Sequence, residues 1–478
     1  MSVLDPSVPI FRYFEEISAV PRGSGNEEGV SRYLAAFAEA RGLRYVRDSL
    51  NNVVIYKPGS PGRENEAPLM LQAHMDMVCE QDDSSCCAHD FLTEPLRLVR
   101  EGDLLRADGT TLGADDGVGV SWMLAILESD SLSHPPLECV FTANEETGMD
   151  GARGLKKDLI TARRMIGLDG HGETVTCVSS SGGRRLLARC PIIFSGNSSP
   201  CYLLTVTGLR GGHSGNCIDQ GLGNAIKLGF RILYQLLERG VDVRIVRITG
   251  GAKTNAIPRQ FAVLFASGFS APMLEKYTDQ IAADLKEELL ETDPELSIGL
   301  EPADRVNSAI TQEDTGALIT MGYLLPNGML SRDPVLGIPT VSLNIGILIQ
   351  TEQFIDFDCC LRSPFRSARE DMSRQIEAVS SVFGGFIQLQ NDYDGWGYAK
   401  DSPLREALRR VLKERGEELR EEATHGGLET GVFKGRYPQM DIITYGPRMS
   451  GCHTPQETLE LDSFLRSYEN LTRLLSAV

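Results

Sequence analysis

The sequence predicts an α/β protein: a mixed, mostly parallel sheet flanked by helices, with an α+β domain inserted into it. Three observations carry this. A chain of 478 residues exceeds what one compact core usually holds, so two domains are expected. Up to residue 169, short β-rich runs alternate with helical segments, the pattern of parallel strands joined by helical crossovers. Near residue 182, at Ser179-Ser-Ser-Gly-Gly, that alternation yields to a long segment with strands and helices of its own. The expected organisation is a main domain in two parts, 1–183 and 393–478, split by an inserted domain over 184–392.

Each element follows from local pattern. Residues 21–42 read as a turn and a helix: Ser24-x-x-Glu27 resembles a capping box, and Tyr33, Leu34 and Phe37 form an apolar stripe. Residues 44–57 read as strand, turn and strand, with Asn51-Asn52 at the bend. The short apolar run 69–74 is a buried strand. Residues 117–129 form an apolar helix, and 137–142 and 165–169 are further strands. In the inserted segment, 203–206, 244–248, 261–267, 341–349 and 354–361 read as strands, and 222–239 and 271–291 as helices. A Gly/Tyr/Trp loop from Asp392 marks the return. The tail adds a helix (403–419), a Gly-rich turn (426–427), a strand (440–445) and an amphipathic helix (458–476).

Composition excludes several functions. With 47 basic and 66 acidic residues the net charge is -19, which repels nucleic acid and anionic membrane surfaces, so neither is expected as a partner. The longest apolar stretch, 341–349, is broken by Ser342 and Asn344 and falls far short of the ~20 residues of a membrane helix. The first residues show neither a basic nor an apolar signal region. The 11 cysteines include no C-x-x-C, and the adjacent pairs Cys86-Cys87 and Cys359-Cys360 cannot easily bridge within themselves. Free thiols in a reducing cytoplasm are the expectation.

Histidine is scarce, with seven positions, so each context matters. His74-Met-Asp76 ends the 69–74 strand, and residues two apart on a strand share a face, so Asp76 can reach the imidazole. Gly113-Ala-Asp115-Asp116-Gly opens the apolar helix; alone it reads as N-terminal capping. Asn144-Glu145-Glu146 follows the 137–142 strand, and two adjacent carboxylates there repel unless a cation neutralises one. Asp169 ends another strand, and Gly451-Cys-His453-Thr-Pro-Gln-Glu457 leads into the last helix. Singly each is weak. Together they set histidine and carboxylate at the C-terminal ends of core elements, where open α/β sheets bind ligands. Mixed His and carboxylate donors suit zinc, manganese or cobalt. Five candidate ligands exceed the need of one catalytic ion, and an Asp can bridge two ions ~3.5–4 Å apart.

In order and spacing the chain resembles the dinuclear zinc peptidases of the aminoacylase and carboxypeptidase G type, and among them most the aminoacyl-histidine dipeptidases. Leu71-Gln-Ala-His-Met-Asp-Met-Val, Leu112-Gly-Ala-Asp-Asp-Gly-Val-Gly and Asn144-Glu-Glu-Thr-Gly-Met-Asp-Gly-Ala-Arg-Gly-Leu carry the likeness. So do Gly208-Leu-Arg-Gly-Gly-His-Ser-Gly, Thr254-Asn-Ala-Ile-Pro and His425-Gly-Gly-Leu-Glu-Thr-Gly-Val-Phe. The resemblance implies a catalytic domain split by a lid, and two divalent ions, zinc first, with manganese or cobalt as alternatives. It implies His74 and Asp169 on one ion, Glu146 and His453 on the other, and Asp115 bridging both. A cis peptide is implied at Asp115-Asp116, Asp76 would orient His74, and Glu145 would be the general base. His213 would stabilise the oxyanion. In the sequence as such, arginine suits a substrate carboxylate, which makes Arg362 the candidate, with Asn255 as amide partner. His425 and Glu429 read as substrate contacts.

The expected reaction is hydrolysis of dipeptides, Xaa-His among them. A tripeptidase or N-acyl amino acid deacylase of the same superfamily, or a non-catalytic binding relative, are the alternatives. One departure stands out: relatives continue the fourth acid with more acids, whereas here Asp169-Gly-His171-Gly-Glu173 follows, and His171 is expected to be a solvated loop residue. The lid is long enough to supply its own histidine where short-lid relatives use a partner's, so a homodimer stays open.

Overall fold

A computed structural model describes residues 2–82 and 88–478. The chain forms two compact units. The first comprises Met1–Ser179, Trp396–Ala423 and Glu429–Val478; the second comprises Ser180–Gly395 and Thr424–Leu428. Residues 424–428, expected in the main domain, thus cluster with the second unit, because the His425 ring is bonded to Ser181 and Ser342.

The first unit is built on a six-stranded sheet in the order Arg44–Arg47, Val53–Lys57, Leu137–Thr142, Leu69–His74, Arg164–Gly167, Asp441–Thr444. The first two strands are antiparallel and the rest run parallel. In register, Leu69 pairs with Leu137 and His74 with Thr142, while Gln72 pairs with Gly167. Three strands therefore end side by side, and the chain after each carries the candidate acids. Leu69–His74 and Leu137–Thr142 are buried throughout, as near-continuous apolar parallel strands are. Helix Ala114–Glu128 is buried from Ala114 to Leu127, and its Trp122 stacks on Phe464 at 5.7 Å between ring centres. That helix is apolar all round because it is enclosed all round.

The second unit holds a nine-stranded sheet. Eight strands run in the order Ser297–Ala303, Cys201–Thr207, Phe261–Ala266, Arg244–Gly250, Pro339–Gln350, Phe354–Ser363, Gly182–Pro191, Phe386–Tyr393, with Gly328–Arg332 added beside Pro339–Gln350. Phe230 and Leu233 of helix Ala225–Glu238 and Leu285 of helix Ala271–Glu288 share one core with Phe261, Phe265 and Phe357 of the sheet.

Several details differ from expectation. Ser24 and Glu27 form no capping box: Ser24 donates to Asp76, Glu27 accepts from the Gly25 and Asn144 amides, and the helix begins at Glu28. Helices Pro9–Ser18, Gln312–Leu324 and Arg366–Val382 were not expected. The helix expected over 403–419 ends at Glu414, where left-handed Gly416 (φ 76°) stops it. Cys359 and Cys360 are free thiols on one strand; Cys86 and Cys87 lie outside the described residues. Among the described residues no helix is long and apolar enough to cross a membrane.

Candidate metal centre

His74 ends its strand with both ring nitrogens engaged. Nδ1 lies 3.2 Å from the Asp76 carbonyl oxygen and donates to it, and Nε2 lies 3.0 Å from Asp115 Oδ1; against the cost of burial, the bonds to Asp115 and Asp76 hold the ring's proton affinity well above the ordinary value. The other Asp115 oxygen, Oδ2, meets His453 Nε2 at 3.2 Å, and that nitrogen also lies 3.0 Å from Glu146 Oε1. One carboxylate thus touches two histidines that are far apart in sequence. The peptide between Asp115 and Asp116 is cis.

The turn that carries Asp115 is tightly held. The Glu457 carboxylate accepts from the backbone amides of Leu112, Gly113, Ala114 and Asp115 at 2.8–3.3 Å, taking up the free N–H groups of the helix start. The fully buried Arg22 guanidinium donates to the carbonyls of Met75, Asp76 and Gly113, tying the His74 strand end to the same turn. A Cβ at Gly113, which is left-handed (φ 66°), would lie 2.6 Å from Arg22 Nη2, so only glycine admits this clamp.

Asp76 does more than face His74. Its carboxylate lies 3.5 Å from Nδ1, accepts from Ser24 Oγ at 2.8 Å, and takes the backbone amides of Glu145 and Glu146 at 3.1 and 3.3 Å. It therefore caps the short helix Glu145–Gly148 and fixes both glutamates. Burial works against its charge, but the His74 bond and charge, Ser24 and the Glu145 amide hold the Asp76 carboxyl below the ordinary range.

The neighbouring acids are short of positive charge. Burial and the negative charge of Asp115 push the Asp169 carboxyl up to about 6. Burial, then Asp169, Glu429 and Glu146, hold Glu145 well above the carboxylate range against the pull of His74. Hydrogen bonds to Asp115 and Glu146 raise His453 to about 10. Acids that take up protons and imidazoles that keep them mark a cluster built for a cation. His74, Asp115 and Glu146 offer donor atoms all within 4.8 Å of one another, so the residues present fit a divalent metal.

Glu429, expected as a substrate contact, is buried. It is 3% exposed and accepts from Gln72 Nε2 and Thr142 Oγ1, both at 2.6 Å, beside the ends of the central strands. Burial pushes its carboxyl up to about 8 against the pull of His74.

The other expected residues lie in the second unit. His213 sits on Gly212–His213, which pairs with Ala256–Ile257, and Ser214 donates to the Asn255 carbonyl at 2.8 Å, so His213 and the exposed Asn255 are neighbours. His213 Nδ1 accepts from the Gly215 amide at 3.2 Å. Arg362 is only 6% exposed, and its guanidinium meets the hydroxyls of Ser214 and Tyr393, each at 3.4 Å, but no carboxylate among the described residues. His425, expected as a substrate contact, is buried. It is 4% exposed, and Ser181 and Ser342 occupy both ring nitrogens at 2.8 and 2.7 Å. Sequence reasoning missed Arg22 and Ser24, and it quoted Glu457 without a role.

A donor set of this kind on the C-terminal ends of a parallel sheet defines a metallohydrolase-type site. Residues 70–477 match peptidase family M20/M25/M40, and the chain belongs to that family of metal-dependent peptidases. It is a peptide-bond hydrolase. It is 32% identical, over 100% of its length and 99% of the relative's, to the cytosol non-specific dipeptidase of Escherichia coli. The solved aminoacylhistidine dipeptidase of Vibrio alginolyticus superposes with a TM-score of 0.90 at 31% identity, covering 100% of this chain and 98% of that one. Aminopeptidase PepT of Bacillus cereus shares the fold, with a TM-score of 0.56 at 14% identity over 99% of both chains.

Two outcomes follow. Replacing Glu457 with Ala strips four buried amides of their acceptor and removes the largest opposing charge from buried Arg22. Denaturant unfolding of the metal-free protein should show a loss of about 3 kcal/mol or more; an unchanged midpoint would show that the turn holds without it. His425 gives a pH signature. Burial and the Arg362 charge lower it from the ordinary 6.5 to about 4, so its contribution is complete above 6.5. Below 6.5 the unfolded chain binds a proton that the folded ring refuses. Stability of the second unit should fall as pH drops from 6.5 toward 4, by up to about 3 kcal/mol. His425→Gln should flatten that slope; an identical slope in the variant would assign it elsewhere.

Proposed function

We propose that this chain is a cytoplasmic dipeptidase that cleaves dipeptides with a free C-terminal carboxylate, Xaa-His among them. One observation carries the hydrolytic part: Asp115 lies between His74 and His453, at 3.0 and 3.2 Å, with Glu146 on the second histidine. The dipeptidase names of the Escherichia coli and Vibrio relatives, both matched over the full chain, support the substrate class.

In this reading His74 and Asp169 hold one divalent ion, Glu146 and His453 another, and Asp115 both. Zinc is the first choice for such donors, with manganese or cobalt as alternatives. When bound, the ions supply water activation near neutral pH and polarisation of the scissile carbonyl. Glu145 takes the proton of the attacking water and returns it to the leaving amine. Its elevated proton affinity suits that double duty, and Asp76 keeps its backbone in place. His213 Nε2 donates to the developing oxyanion. Burial and the Arg362 charge lower the His213 proton affinity, so it acts as a neutral N–H donor. Arg362, a buried cation without a carboxylate, takes the C-terminal carboxylate of the dipeptide, and Asn255 takes a peptide group.

Glu145→Gln should bind the same two equivalents of metal yet lose a factor of ~10²–10⁴ in kcat. Undiminished turnover would remove it as the base. Arg362→Ala should raise KM for free dipeptides while leaving their C-terminal amides unchanged; equal losses on both would end the carboxylate assignment. The same substrate panel, extended to tripeptides and N-acyl amino acids, overturns the dipeptidase reading if either class is preferred.

A further inference from the structure

The donors around Asp115 do not end with the two histidines and Glu146. Asp115, His171 and Cys452 also present ligand atoms that all lie within 4.8 Å of one another. This group shares only Asp115 with the group His74, Asp115 and Glu146. His171 sits two residues beyond Asp169, where its side chain is exposed, as expected of a loop residue, but beside Asp115. Cys452 lies between two residues in left-handed backbone, Gly451 (φ 66°) and His453 (φ 64°). With that backbone, sequence neighbours Cys452 and His453 both bring donor atoms to Asp115.

The chemistry of this second group is different. The His74, Glu146, Asp169 and His453 donors are nitrogen and oxygen only. The second group adds sulfur, which selects zinc, cadmium or cobalt over magnesium, calcium or manganese. We propose that Asp115, His171 and Cys452 form a third metal position, sharing only Asp115 with the hydrolytic pair, that takes a thiophilic divalent ion. Donors bound to a tetrahedral zinc at 2.0–2.3 Å lie roughly 3.5 Å apart, so any donor pair wider than that has to close on the ion. Two of its three members are on loops and can do so. On binding, the Cys452 thiol gives its proton to solvent and the fourth position is left to water.

The position has a consequence for activity. Asp115 has two oxygens, and both already face histidines. An ion at the third position competes for one of them, so excess zinc or cadmium inhibits. The site shares Asp115 with the hydrolytic reading, but its test can fail separately. Metal-stripped full-length protein is titrated with cobalt(II). Visible d–d bands report all bound cobalt, whereas a near-ultraviolet sulfur-to-cobalt band reports sulfur alone. The expected result is a near-ultraviolet band in the wild type that is absent from Cys452→Ser. In His171→Gln it should appear only at about tenfold higher cobalt or more. Both variants should keep two cobalt equivalents by their visible bands. A wild type that saturates its visible bands without the sulfur band overturns the proposal. So does a band that survives Cys452→Ser, or an unchanged affinity in His171→Gln. Failure to bind two equivalents at all would count against the hydrolytic pair instead. Should Cys452→Ser not fold, site-resolved alkylation of the wild type decides: cadmium must protect Cys452 from iodoacetamide, and an unprotected Cys452 overturns the site.

Discussion

The carboxylate of Asp115, held between two histidines, is the contact on which the rest of the first unit depends. Its geometry is not set by Asp115 itself but by the turn beneath it. Glu457 binds the four amides of that turn, and Arg22 binds the Gly113 carbonyl and those of Met75 and Asp76. The charges of Glu457, Asp76 and Asp116 offset part of the cost of burying the Arg22 guanidinium. Glu457 is four residues past His453. The same hydrogen bonds that fix Asp115 therefore also anchor the loop bringing His453 to it. Three sequence-distant pieces, the His74 strand end, the Asp115 turn and the His453 loop, are locked by one pair of buried ions.

This arrangement carries an electrostatic cost that explains its chemistry. Asp115, Glu145, Glu146 and Asp169 crowd together, and Glu145 and Asp169 answer by holding protons more tightly. In a structural ion-pair network an arginine would sit among them. Here the Arg22 guanidinium spends its hydrogen bonds on backbone carbonyls. The acids are thus left for an external cation, and a cation that binds the folded state alone stabilises it by mass action.

Much of this was legible in the sequence, and the reason is periodicity. The strands of the first unit and the helix over 117–129 have apolar patterns strong enough to locate, and their C-terminal ends expose His74, Glu146 and Asp169 in order. What was not legible depended on distant partners. Ser24 and Glu27 have capping-box spacing, yet Asp76 and Asn144 claim them. Helix Pro9–Ser18 starts after Val8, which has no side-chain acceptor, so the usual start signal is missing. Arg22 gives no local sign of burial. His425 looks like an exposed Gly-rich-turn residue until Ser181 and Ser342, 244 and 83 residues away, close on both sides of its ring.

The distribution of charge between the two units has a physical logic. A buried arginine placed among the acids of the first unit would pair with them, and both partners would be spent. The chain instead keeps Arg362 on a separate folding unit, on a strand where its neighbours are hydroxyls. Hydroxyls hold the guanidinium in position without cancelling its charge. Burial first, and that charge second, lower the proton affinity of His213 and His425. Positive charge in one unit and negative charge in the other are therefore both left uncompensated.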